Sequence, residues 1–164
     1  MSKPGVRLLV LDVDGVLTDG RLWYGPRGEA LKVFHVRDGY GIEQIIAAGV
    51  RVIVISGRRS AAVLRRCREL GIRDVHQGVS DKLGLLRKLC ARTRISLTET
   101  ACIGDDTPDV ALLRAVGLSF AVQDAHPDAR AAAQRTTLSA GGHGAVREVC
   151  DTLLELHHVR RASG

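Results

Sequence analysis

Leu8-Leu9-Val10-Leu11-Asp12-Val13-Asp14-Gly15-Val16, running on into Leu17-Thr18-Asp19-Gly20, is an apolar strand that stops on two carboxylates. The run Leu8 to Leu11 shows no polar alternation, and a strand without alternation is covered on both faces, as in a parallel sheet. Outward from it, apolar runs of strand length recur at Val50 to Ile55, Val75-His76, Ala101-Cys102-Ile103 and Leu118 to Val122. Helical stretches separate them, at about Gly41 to Ala48, Ala61 to Leu70, Lys82 to Arg94, Pro108 to Val116 and Ala145 to His157. Gly49, Gly71 and Gly117 stand where these helices should stop, and Ser80 and Thr107 where two of them should be capped. Alternating strands and helices predict an α/β fold: a parallel sheet with helices on both faces.

One segment breaks the rhythm. Arg21-Leu22-Trp23-Tyr24 and Ala30 to His35 flank Gly25-Pro26-Arg27-Gly28 and predict a β-hairpin flap over about 18–35, directly after the first strand. With 164 residues, 45% of them hydrophobic, the chain suffices for one compact domain over 1–164 and is short for a second. His158 to Gly164 reads as a frayed, flexible tail.

The formal net charge is +6, yet the arginines are spread along helices rather than gathered into a block, and aromatics are only 3%. Both features argue against a nucleic-acid surface and leave either a small anionic substrate or a solvated basic face. Cys67, Cys90, Cys102 and Cys150 form no Cys-x-x-Cys pair and no zinc-like cluster, which fits reduced thiols. The apolar run Val6 to Val13 is interrupted by Arg7 and Asp12 and is too short for a membrane span or signal peptide. We therefore expect a soluble cytoplasmic protein with no membrane partner.

In an open parallel sheet, ligands collect beyond the carboxyl ends of the strands. Asp12 and Asp14 arrive there together, on the same side by strand alternation. A second acidic group, Gly104-Asp105-Asp106-Thr107-Pro108-Asp109, follows the apolar Ala101-Cys102-Ile103. Oxygen-only ligands suit a hard ion that keeps several waters, which is Mg2+. Val54-Ile55-Ser56-Gly57-Arg58 ends another strand with a hydroxyl and free amides that can donate to phosphate oxygens, and Lys82 can reach the same oxygens as a point charge.

Taken singly these signals are weak. Asp12-x-Asp14 alone reads equally as a strand-end turn, Ser56 as a cap, Lys82 as a solvated helix residue, and Arg58 and Arg66 as surface charge. Asp19 and Asp38 read as turn or cap residues rather than acid catalysts.

In order, Asp-x-Asp, Ser, Lys and Gly-Asp-Asp-x-x-Asp resemble the haloacid dehalogenase superfamily. That resemblance implies a Rossmannoid sheet in which Asp12 is the nucleophile and Asp14 protonates the leaving alcohol and then activates water. Ser56 and Lys82 would hold the phosphoryl group. Asp12, the backbone carbonyl of Asp14 and Asp105 would bind magnesium, with Asp106 and Asp109 in support through waters or Lys82. Lys32-Val33-Phe34-His35-Val36-Arg37-Asp38-Gly39-Tyr40-Gly41-Ile42, Gln77-Gly78, Asp124-Ala125-His126-Pro127 and Gly141-Gly142-His143-Gly144-Ala145-Val146-Arg147-Glu148 narrow it further. Over about residues 6 to 155 the chain is similar to the 3-deoxy-D-manno-octulosonate 8-phosphate phosphatases, which lack a cap domain and form a homotetramer. The hairpins would then build a central barrel, and a neighbouring subunit would help to close each active site.

By the same resemblance, the substrate would meet Asp14, Gly57, Arg58, Arg66, Lys82 and the loop His35, Val36, Arg37, Asp38 and Gly39. His35 stands where the family usually has asparagine, and Glu43 where some members have arginine. The implied reaction is hydrolysis of the octulosonate phosphate through an aspartyl-phosphate. The alternatives are a phosphatase for a nine-carbon sugar-acid 9-phosphate and a scaffold of the same fold without catalysis. A phospho-accepting receiver domain is disfavoured, because its acceptor aspartate lies on an interior strand rather than paired on the first.

Overall fold

The computed structural model describes residues 5–162. The chain runs β1 (Leu8–Leu11), a hairpin of β2 (Trp23–Gly25) and β3 (Gly28–Leu31), α1 (Val36–Ala47), β4 (Arg51–Ser56), α2 (Ala61–Glu69), β5 (Asp74–Gln77), α3 (Lys82–Thr93), β6 (Thr100–Gly104), α4 (Val110–Ala115), β7 (Leu118–Ala121), α5 (Pro127–Ala132), β8 (Arg135–Thr136) and α6 (Ala145–Ala162). Six strands form a parallel sheet in the order β5-β4-β1-β6-β7-β8, and β2 and β3 pair antiparallel apart from it.

All four residues of β1 are buried, as their unbroken apolar run requires in a central strand. The buried apolar side chains form one connected cluster from β1 outward to Leu153 of α6. α1 packs against α6, while α3 meets α4 and α4 meets α5. Fully burying one leucine contributes about 1.5–3 kcal/mol, so the central strands anchor the sheet rim that follows them.

Several boundaries differ from expectation. α1 begins at Val36 rather than Gly41, because His35 caps it: Nδ1 accepts from the Arg37 amide at 3.3 Å. The segment read as a loop over His35 to Gly39 is therefore the cap and first turn of a helix. The cap of α3 is Asp81, whose Oδ1 accepts from the Gly84 amide at 2.8 Å, and not Ser80. Asp106 rather than Thr107 caps the short 3₁₀ turn before α4. Gly49 and Gly71 follow α1 and α2 with positive φ as helix stops should, whereas α3 ends on Arg94 at φ 56°. The two-residue strand β8 was not anticipated as a separate element. The helical backbone of α6 continues to Ala162 where a tail was expected from His158, and residues 163–164 lie outside the described residues.

Candidate active site

The strand order changes direction around β1, and the sequences that follow β1, β4 and β6 meet over one rim of the sheet. Leu11 pairs with Val54 on one side and Ile103 on the other, which sets Asp12 and Asp14 between Ser56 and Asp105. The chain then turns at Gly15, where φ is +84° and an added Cβ would overlap the Asp105 carboxyl. Only glycine lets the two acidic loops approach this closely. Thr18 Oγ1 accepts from the amides of Gly15 and Gly20, at 3.4 and 3.2 Å, and holds the turn.

Lys82 enters from the first turn of α3. Its Nζ lies 2.9 Å from Asp12 Oδ1 and 2.7 Å from Asp109 Oδ1, and the other Asp109 oxygen accepts from the Asp105 amide at 3.1 Å. Asp12, Asp105 and Asp109 each bring an oxygen within 4.8 Å of the others. Burial, then the charge of Asp109, pushes Asp12 up to about 6 against the pull of Lys82. Burial, then the charges of Asp12 and Asp109, pushes Asp105 up to about 8. Burial draws the Lys82 ammonium down, but the two aspartates outweigh it and its pKa is raised. One ammonium paired with two of three crowded carboxylates leaves the group short of positive charge. Oxygen donors in that state fit a hard cation such as magnesium.

A cleft of about 460 Å³ opens over this rim, and Ser56, Gly57, Arg58 and Lys82 line it together with the carboxylates. Ser56 is 3% exposed, and its Oγ accepts from the Arg58 amide at 3.3 Å, leaving its hydroxyl proton to donate. Asp14 also lines the cleft. Asp106 lies exposed at its edge with Oδ1 taken by the Thr107 amide at 2.7 Å, so the inward member of that pair of expected supports is Asp109.

The expected sugar contacts divide. Asp14, Gly57, Arg58 and Lys82 face the cleft, whereas His35, Asp38, Gly39 and Arg66 line a separate narrow crevice beside Leu17. Val36 and Arg37 are exposed. Asp38 is 1% exposed and accepts from the Arg147 amide at 2.8 Å, so it holds the first turn of α6. Arg66 Nη1 donates to Glu69 at 3.5 Å. Sequence reasoning missed Lys32 and Glu29. Lys32 Nζ lies 2.5 Å from Asp14 Oδ1 and 3.1 Å from Glu29 Oε2. Their signal was weak: two charges three residues apart at the end of a flap.

A family model of haloacid dehalogenase-like hydrolases matches residues 73–149, which carry Lys82 and the second acidic cluster. The 3-deoxy-D-manno-octulosonate 8-phosphate phosphatase of Escherichia coli strain K12 is 48% identical over 149 residues, covering 91% of this chain and 79% of that one. The chain belongs to the octulosonate 8-phosphate phosphatase family. Among solved structures, the family's enzyme from Yersinia pestis superposes with a TM-score of 0.91 at 46% identity, covering 93% of this chain and 83% of that one. The enzyme from Moraxella catarrhalis, solved with magnesium, phosphate and the octulosonate (KDO), superposes with a TM-score of 0.89 at 41% identity and covers 92% and 86%. The family's α/β fold, with its hairpin after the first strand and no cap, is the fold described above.

Proposed function

We propose that the chain is a magnesium-dependent phosphomonoesterase that hydrolyses 3-deoxy-D-manno-octulosonate 8-phosphate to the octulosonate and phosphate. The observation that carries it is the charge arrangement at the sheet rim: Asp12 and Asp109 share buried Lys82, and Asp105 completes an oxygen-only cluster. Relatives that carry this activity in their names support the substrate.

Asp12, Asp105 and the backbone carbonyl of Asp14 would hold magnesium, with Asp109 fixing Lys82. Bound there, magnesium supplies charge that offsets the repulsion between Asp12 and the phosphate. Ser56 and Lys82 bind and orient the phosphoryl oxygens. An Asp12 carboxylate oxygen bonds to phosphorus as the bond to the sugar oxygen breaks, and Asp14 delivers a proton to that oxygen. Water then attacks the phosphorus of phospho-Asp12 while Asp14 takes its proton, which releases phosphate and restores both carboxyls. Arg58, beside the cleft, offers a planar guanidinium to the sugar-acid carboxylate.

The assembly belongs to the same reading. A homotetramer built through the hairpin accounts for its uncovered apolar side chains, with Trp23 51%, Tyr24 66% and Val33 59% exposed. A neighbour placed there would bring residues toward the mouth of each cleft and give His35, Val36, Arg37, Gly39 and Arg66 their part in substrate binding, while buried Asp38 holds the start of α6. Four buried, unpaired cysteines support work in the reducing cytoplasm, and among the described residues no helix is long and apolar enough to cross a membrane.

The test is phosphate release from the eight-carbon substrate, a nine-carbon sugar-acid 9-phosphate and hexose phosphates, with magnesium or chelator. Selective, magnesium-dependent release from the octulosonate phosphate is expected. Preference for another sugar would overturn the substrate, and silence on all would favour a scaffold.

A further inference from the structure

Lys32 follows β3 directly, on an otherwise exposed flap, yet its side chain is only 2% exposed. Removing an ammonium from water costs several kcal/mol even after relaxation, so a buried lysine persists where carboxylates face it closely. Two do: Asp14 Oδ1 at 2.5 Å and Glu29 Oε2 at 3.1 Å. Arg58 closes the circuit from the loop after β4, with Nη2 3.3 Å from Glu29 Oε2 and Nε 4.0 Å from Asp14 Oδ2. Burial alone would raise the Glu29 carboxyl, but hydrogen bonds from Ser60, Lys32 and Arg58 bring it below its usual range. Glu29 is thus a fixed anion that holds Lys32.

The carboxyl torsion of an aspartate is broad and roughly two-fold, so Asp14 has little intrinsic reason to present one oxygen to a substrate. Proton transfer in a transition state demands that oxygen within hydrogen-bond reach of the leaving group. Resting on the phosphatase reading above, we propose that Lys32, held by Glu29, is a positioning residue for Asp14: its ammonium ties Oδ1 and leaves Oδ2, on the Arg58 side, to carry the transferred proton. As the phosphorus–oxygen bond breaks, its electron pair stays on the sugar oxygen, and the proton on Oδ2 moves to that oxygen. In the second half-reaction a proton of the attacking water returns to Oδ2. The hairpin therefore orients the acid–base group as well as offering an apolar surface.

The test compares leaving groups. A displaced acid matters most where the departing oxygen is strongly basic, as in the octulosonate phosphate, less for phenyl phosphate, and least for p-nitrophenyl phosphate, whose phenolate leaves without a proton. For Lys32→Met we expect kcat/KM to fall about 100-fold on the octulosonate phosphate, roughly tenfold on phenyl phosphate and under about threefold on p-nitrophenyl phosphate, the lower part of the range for general-acid catalysis. Lys32→Arg should restore most of the loss, and Glu29→Gln, which keeps the side-chain volume, should show the same ordering with smaller losses. Equal losses on all three substrates, or none, would overturn the inference and leave Lys32 an anchor of the flap. A wild type that hydrolyses both aryl phosphates and spares the octulosonate phosphate would overturn the substrate assignment instead, and the aryl pair would still decide Lys32. A wild type inactive on all three overturns both.

Discussion

Replacing Lys82 by methionine keeps a long side chain and removes the ammonium that Asp12 and Asp109 share at 2.9 and 2.7 Å. The side chains of Asp12 and Asp109 are 12% and 3% exposed, so water replaces the ammonium poorly. Deleting one partner of a buried pair costs roughly 3–5 kcal/mol. In a domain of this size each kcal/mol moves Tm by about 2–4 °C, so Tm should fall by roughly 6–20 °C in chelator. The loss should depend on pH. Lys82 has its pKa raised above 10.5, so it stays charged across the neutral range and its own titration plays no part there. Asp12 has a folded pKa raised from 3.8 to about 6, and Lys82 opposes that rise. Without Lys82 the Asp12 carboxyl rises further, and below about 6 a proton stands in for the missing ammonium. Thermal melts followed by circular dichroism should therefore show a large deficit at about pH 8 that shrinks toward about pH 5. A deficit independent of pH, one that grows in acid, or none at all would refute the reasoning.

Magnesium should stabilise the protein more as pH rises. Asp12 and Asp105, raised to about 6 and about 8, bind protons more tightly folded than unfolded, so metal-free stability falls from about pH 4 to about pH 8. Scanning calorimetry should show the rise in Tm on adding magnesium increasing across that window. Gly15→Ala puts a Cβ into the Asp105 carboxyl at φ +84°. It should lose about 1–2 kcal/mol to the left-handed backbone, and activity titrations should show a higher magnesium requirement. Asp38→Ala removes the carboxylate that accepts from the Arg147 amide at 2.8 Å. A lost cap costs about 0.5–2 kcal/mol, so Tm should drop by several degrees while KM for the octulosonate phosphate in the surviving fold changes little.

The central fold was legible because β1, β4 and β6 are apolar without alternation, and only a covered parallel sheet satisfies such runs. The gathering of Asp12, Asp14, Ser56, Lys82 and Asp105 at one cleft was legible because each ends or closely follows a strand, or opens the helix after one. The start of α1 was not. Gly39 and Gly41 are poor helix formers and give the first turns little propensity signal, but the fold uses them as close contacts, with a Cβ on Gly41 falling 2.9 Å from Arg147 Cδ and 3.2 Å from Cys150 Cβ. Strand β8 is two residues long and exposed, and no pattern can mark so short an element. The division between cleft and crevice was hidden too, because motif order says nothing about which side chains of His35 to Gly39 point where. Asp38 carries the same chemistry as Asp14, and only tertiary structure assigns it to the end of α6. Lys32 illustrates the converse: a charged flap residue is ordinarily solvated, and its burial against Asp14 depends on how the hairpin folds back.

The central claim is that phosphate passes through Asp12. Rapid acid quench of the enzyme with the octulosonate phosphate, followed by peptide mass spectrometry, tests it directly. One phosphoryl group should appear on the peptide containing Asp12 in wild type and be absent from Asp12→Asn, which should also release no phosphate. Steady phosphate release by Asp12→Asn, or a phosphoryl group on any other residue, would contradict the account.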